Sequence, residues 1–185
     1  GTGGRTMESL IETKMVAGVL DITTTEWADE LLGGILTAGP TRLEAAARNG
    51  IPAIITPGCL DMVNFGARDS IPEKYADRTF YEHNPEVTLM RTTPGECAEL
   101  GRILAEKVNL STGQVTVLYP RKGISIISAE GQPFHNPSAD KALFEAIKQN
   151  LREDVELVEM DCEVNDPEFA EACATRLLDL IRSDS

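Results

Sequence analysis

A three-layer α/β domain, with helices on both faces of a mainly parallel sheet, is the fold class this sequence predicts. Three observations carry that expectation. Five strand-like apolar runs are mostly continuous rather than alternating, as in strands covered on both faces. Helical patterns with a single apolar stripe lie between them. The aromatic share is only 5%, so the core must be built from Val, Ile, Leu and Ala, which suits helices packed on a β-branched sheet. With 185 residues, 42% hydrophobic and 25% charged, the chain is long enough for one well-buried core.

The strand-like runs are Val16 to Leu20, Ala53 to Ile55, Val87 to Met90, Val115 to Tyr119 and Val155 to Met160. A first helix is expected over Arg5 to Lys14, and Gly39-Pro40 opens another. Cys97, Leu100, Gly101, Leu104 and Val108 then repeat at helical spacing, as do Leu143, Phe144, Ile147 and Leu151. The clearest stripe is Phe169, Ala170, Cys173, Ala174, Leu177, Leu178 and Ile181. Helix starts are marked by a capping side chain before proline at Thr93-Pro94, Asn136-Pro137 and Asp166-Pro167, with Glu96 completing a capping box on Thr93. Strands and helices therefore alternate, which implies right-handed crossovers and a mainly parallel sheet.

Two stretches break this rhythm. From Thr56 to Pro85 the chain carries Pro57-Gly58, Ile71-Pro72 and Asn84-Pro85 with little periodicity and is expected to be a long loop. The second is the beginning, Gly1-Thr2-Gly3-Gly4-Arg5, a glycine-rich turn with no strand before it. The expectation is a single domain that forms the carboxy-terminal part of a longer two-domain protein.

A net charge of -13 would repel a phosphate backbone, and no basic patch offsets it, so nucleic acid is not an expected partner. No apolar stretch reaches the roughly 20 residues of a membrane helix, and no signal-peptide pattern opens the chain, so a cytoplasmic location is expected and a membrane is not. Cys59, Cys97, Cys162 and Cys173 form no CxxC pair, and two histidines supply no zinc-ligand spacing; the cysteines read as reduced core residues.

Candidate sites lie where strands run into helices. In Gly1, Thr2, Gly3, Gly4 and Arg5, glycines would let backbone N-H groups approach an anion at the start of a helix. The spacing matches neither the P-loop nor the dinucleotide fingerprint. In Asp21 to Glu26, Thr23 with Glu26 satisfies a capping box, while Thr24 has no such explanation. Gly39, Pro40 and Arg42 follow a second flexible loop, and Arg42 is placed to reach a phosphate or to lie exposed on a helix. Gly58, Cys59 and Asp61 follow the second strand. A nucleophilic Cys59 would need His83 or His135 as its base, and Asp61 would orient a hydroxyl or a hydrated metal such as Mg. Arg121, Lys122 and Gly123 follow an apolar strand, and two adjacent cations in an acidic protein point to an anion; His135 and Asn136 lie downstream.

Four segments, GTGGRTME, LLGGILTAGPTRLEAA, IPAIITPGCLDMVNFG and YPRKGISIISAEGQPFHNPSAD, together resemble an uncharacterised protein family that includes a plant tobamovirus-resistance protein. The similarity is to the carboxy-terminal half of that family's two-part ATP-binding region and covers nearly the whole chain. It implies a Rossmann-like module, joined to an amino-terminal domain, that shares in binding ATP. The matched positions include Gly1, Thr2, Gly3, Gly4, Arg5, Gly39, Pro40, Arg42, Gly58, Asp61, Arg121, Lys122 and Gly123.

The expected function is binding of a small anion, ATP or another phosphate compound, at loops after the strands. The alternatives are an enzyme acting on a phosphorylated or carboxylated metabolite through Asp61 or His135 at an inter-domain cleft, and an interaction module using the 56–85 segment. Expected partners are the small-molecule anion and the amino-terminal domain, with homo-oligomerisation left open.

Overall fold

The computed structural model describes residues 1–183. In chain order the elements are α1 (Thr2–Glu12), β1 (Val19–Thr23), α2 (Glu26–Leu32), α3 (Glu44–Asn49), β2 (Ala53–Gly58), β3 (Met62–Phe65), β4 (Phe80–Asn84), β5 (Val87–Arg91), α4 (Pro94–Asn109), β6 (Val115–Pro120), α5 (Pro137–Asn150), β7 (Glu156–Met160) and α6 (Pro167–Ser183). Single 3-10 turns lie at Arg68–Ser70, Glu73–Tyr75 and Ile126–Ser128.

Four strands form a parallel sheet in the order β1-β2-β6-β7. Alternate residues of each strand point to opposite faces, and both faces are apolar, which is why the runs are continuous in sequence. On one face Val19, Ala53, Ile55 and Val117 pack against residues of α1 to α5. On the other, Leu20, Ile54, Leu118 and Val158 pack against Phe169, Cys173 and Leu177 of α6. The strand order moves in one direction only, so successive right-handed crossovers deposit their helices on one face. Among the described residues only α6 returns across the other.

The helix starts follow their capping signals. Thr93 accepts the Glu96 N-H, and Glu96 accepts the Thr93 N-H at 2.7 Å, closing the capping box of α4. Asn136 accepts the Ala139 N-H of α5 at 3.1 Å. The two helices pack closely because Gly101 has no side chain: a Cβ there would meet the Leu143 carbonyl and the Ala146 methyl group.

Four expectations are corrected. The run Val87 to Met90 does not join the parallel sheet. As β5 it is the middle strand of a separate antiparallel sheet, β3-β5-β4. Residues Thr88 to Arg91 are all buried, so their sequence resembles that of a parallel strand. The 56–85 segment is not a plain loop: it holds the end of β2, then β3, two 3-10 turns and β4, elements too short for a periodic signal. Its exposed residues are mostly polar, such as Arg68, Asp69, Glu73 and Lys74, with Pro72, Ala76 and Pro85 among them, while Phe65 and Tyr75 are buried. The N-cap of α2 is Thr25 rather than Thr23, without a side-chain bond, and the Thr24 hydroxyl donates to the Thr56 carbonyl at 3.1 Å. Finally, the opening glycines are helical, because α1 begins at Thr2.

The antiparallel arm leaves and rejoins the body at one point, where the Thr92 N-H donates to the Asp61 carbonyl at 3.0 Å. Asp29 of α2 fastens the arm to the body. Its carboxylate accepts the N-H groups of Asn64 in β3 at 2.6 Å and of Leu36 at 2.8 Å. Among the described residues no helix is long and apolar enough to cross a membrane.

Candidate functional site

The residues singled out from the sequence separate into three places. The first surrounds Arg42. Its guanidinium is buried and grips Asp21 of β1 through two nitrogens, at 2.5 and 2.7 Å. Glu8 of α1 lies at 3.3 Å and Glu26 of α2 at 3.4 Å. Burial alone would lower the Arg42 pKa, but the hydrogen bonds and charge of Asp21, then the charges of Glu26 and Glu8, carry it above its ordinary value. Three carboxylates thus already surround this cation.

Gly4 sits against the same cluster. A Cβ there would collide with the Glu26 carboxylate and touch Arg42 Nε, so the residue is small for packing. Gly3 and Thr2 are exposed, and nothing lies within 4 Å of a Cβ at Gly3. The Gly1 nitrogen donates to the Leu36 carbonyl, and Arg5 donates to the Thr37 carbonyl at 3.1 Å. Gly39 adopts φ +90° in open space, a turn position that favours glycine.

The second place is the end of β2. Gly58 lets β2 close on β1, since a Cβ would run into the Ile22 carbonyl. Asp61 is fully buried and accepts the Ser125 hydroxyl at 2.7 Å, while its other oxygen, Oδ1, has no hydrogen-bond partner among the described residues. Burial pushes the Asp61 carboxyl up to about 6, against the lowering effects of Ser125 and of the Arg91 charge. Its partner is a hydroxyl of the protein itself. Cys59 and His83 do share a cleft. Burial, then the charges of Asp61 and Glu26, push the Cys59 thiol up to about 12, so it is not a thiolate at neutral pH.

At the third place the sequence reading converges. Arg121, Lys122 and His135 line one groove of about 500 Å³ at the carboxyl end of β6, beside Pro137 at the start of α5. Gly123 lies just beyond, pairing with Glu163 in a single bridge, and a Cβ on it would press on Ala129. Arg121 lies over the Phe144 ring at 4.1 Å, with Glu159 at 3.6 Å. Lys122 meets Asp161 at 3.1 Å, a contact that raises its pKa, and it is half exposed. Lys141 adds a further cation, while Glu130, Asp140, Glu145 and Glu163 add carboxylates.

Arg91, which no local sequence signal marks, holds the floor of this groove. It is buried and donates to the Phe134 carbonyl at 2.8 Å and to Asp140 at 2.5 Å. Burial raises the Asp140 pKa and Arg91 opposes that rise. Tyr119, driven upward by burial and therefore neutral, donates to the Asp140 carbonyl at 3.0 Å. The groove thus has a buried, hydrogen-bonded base and exposed charged walls. One further cluster, Cys162, Asp166 and Glu168, brings three ligand atoms within 4.8 Å of one another, but Asp166 already accepts the Glu163 N-H at 2.8 Å.

Comparison with known proteins gives a family. Residues 1–181 match the C-terminal domain of the uncharacterised protein family UPF0261. A UPF0261 protein of Clostridium tetani is 49% identical over 98% of this chain, which covers 45% of that protein. A relative from Rhizobium meliloti is 47% identical over 97% of the chain and 46% of its own length. The ToMV resistance protein Tm-1(GCR237) of Solanum lycopersicum is 39% identical over 97% of the chain and 24% of its own length. The chain therefore belongs to the UPF0261 C-terminal domain family and spans less than half the length of these relatives.

Proposed function

We propose that this UPF0261 domain binds a small phosphate compound, with ATP the leading candidate, in the groove at the carboxyl end of β6. The observation that carries the reading is the convergence there of Arg121, Lys122, Lys141 and His135, drawn from two separate segments. Loops beyond the carboxyl ends of parallel strands are the ligand edge of such sheets. The start of α5 adds the positive end of a helix dipole.

The carboxylates of the groove refine the ligand. A bare triphosphate would face repulsion from Glu130, Glu145 and Glu163. A phosphate accompanied by Mg suits a mixed wall better, since the ion takes oxygen ligands from carboxylates and phosphates alike. Arg121 and Lys122 would exchange their exposed carboxylate partners for the phosphate, at small cost because exposed ion pairs contribute little.

The test is thermal unfolding of the domain, and of a full-length relative, with Mg-ATP, ATP with chelator, inorganic phosphate and acetate. At a ligand concentration about a hundredfold above the dissociation constant, binding adds roughly 2.7 kcal/mol. Mg-ATP should raise the midpoint most, and Arg121→Ala with Lys122→Ala should remove the rise. No rise with any anion in either protein would sink the proposal.

A further inference from the structure

The carboxyl edge of the parallel sheet holds a second cleft, of about 670 Å³. We propose that it is a separate site for an uncharged organic molecule: an apolar, ring-sized body carrying one hydroxyl or N-H donor.

Its position is the first support. Each parallel strand reaches it at or just beyond its carboxyl end: Thr23 from β1, Cys59 after β2, Ser125 and Ile126 after β6, and Asn165 after β7. The arm closes the opposite side with Tyr81 and His83 of β4. A cleft between a sheet's carboxyl edge and an appended unit is where α/β domains place small ligands.

The chemistry of its walls is the second. The chain has 30 acidic and 17 basic residues, yet among the described residues neither Lys, Arg, Asp nor Glu lines this cleft. A charged ligand would lose its hydration there without gaining a counter-charge. The volume fits a drug-sized molecule. Ile126, 64% exposed on the cleft wall, offers apolar area that such a body would cover.

Ser125 sets one polar requirement, beside the half-buried Cys59 thiol and Tyr81 hydroxyl that share the wall. The Ser125 hydroxyl proton is committed to Asp61 at 2.7 Å, and one lone pair accepts the Ser128 N-H at 3.2 Å. With that proton engaged, Ser125 has no donor to offer a ligand and can meet one only as an acceptor. Thr23, His83 and Asn165 are exposed at the rim and remain in water. This cleft shares no lining residue with the charged groove, so the two proposals stand or fall separately.

The experiment is a methyl NMR titration following Ile126 and Ala170, with 1-naphthol, its methyl ether and 1-naphthoate as probes. Saturable shifts are expected with naphthol. The ether should bind about two- to tenfold more weakly, the loss of one hydrogen bond, and the carboxylate more weakly still. Ala170→Trp, at an exposed position on α6 that lines the cleft, should abolish binding without unfolding the domain. Arg121→Ala with Lys122→Ala should leave naphthol binding intact. The proposal is overturned by an absence of saturable shifts, by an ether that binds as tightly as naphthol, or by naphthoate binding best. It is equally overturned if sedimentation shows a dimer that Ile126→Asp dissociates, since a second copy would then occupy the cleft.

Discussion

Arg121 directly follows Pro120 and Arg42 lies two residues after Pro40, and both are marked in sequence as candidate anion ligands. Their surroundings differ completely. Arg42 is 2% exposed and held by Asp21, with Glu8 and Glu26 close by, whereas Arg121 is 39% exposed with a single carboxylate at 3.6 Å. A buried arginine ringed by carboxylates fixes architecture, joining α1, β1 and α2 through one guanidinium. An exposed one with a loose partner remains available to a ligand. The residue type and its local pattern do not separate the two roles; the charges brought in from distant segments do.

The largest expected effect would break this contrast at its buried end. Arg42→Ala leaves Asp21 buried without its partner and should destabilise the domain by about 3–5 kcal/mol, whereas Arg121→Ala should cost about 0.5 kcal/mol or less. Urea denaturation of the two variants measures both. Comparable losses would show that Arg42 is no more embedded than Arg121.

The next effect concerns the buried carboxyl of Asp61. Burial raises it from the ordinary value of 3.8 to about 6, so the folded state holds its proton more tightly than the unfolded state does. The resulting stabilisation is fully present below pH 3.8 and is lost as pH rises through about 6. Two units correspond to roughly 3 kcal/mol. Asp61→Asn keeps the shape and removes the titration, so its stability relative to wild type should climb by about that amount between pH 4 and 7. A parallel pair of curves would refute the assignment. Asp29, also raised to about 6 chiefly by burial, contributes with the same sign but is unchanged in the comparison.

The smallest effect sharpens the contrast within a single helix. Gly4→Ala should destabilise by about 1 kcal/mol, because its methyl group would push the Glu26 carboxylate out of its place beside Arg42. Gly3→Ala, facing open space one residue earlier, should stabilise by up to about 1 kcal/mol through helix propensity. Thermal unfolding of both separates packing from propensity.

The legible parts of the sequence were those governed by local physics. Continuous apolar runs marked three of the four parallel strands closely, whereas β1 runs Val19–Thr23 and shares only Val19 and Leu20 with the expected Val16 to Leu20, because it continues through the polar Asp21 and Thr23. Thr93 with Glu96 and Asn136 with Ala139 fixed two helix starts because the partners lie three residues apart. Val87 to Met90 misled because a strand buried on both faces looks alike in a parallel and an antiparallel sheet. The opening glycines misled because small residues serve a close helix contact as readily as a ligand loop, and only the positions of Glu26 and Arg42 decide between them. Arg121 and Lys122 were legible as an unusual charge pair. Arg91 and Asp29 were not, since their partners lie 49 and 35 residues away in sequence.

The bond between Thr92 and Asp61 has an evolutionary consequence. The chain from Met62 to Arg91 leaves and returns across this one pair, yet Val63, Phe65, Tyr75 and Met90 pack in the main core and Asp29 and Arg91 tie the arm to the body, so the arm is a single node in the path of the chain and not in its packing. Changes at its exposed turns, Arg68 to Ser70 and Glu73 to Lys74, need not re-register any strand of the parallel sheet. Because the arm supplies one wall of the apolar cleft, changes in the arm would diversify what the cleft admits while the scaffold beneath it stays constant.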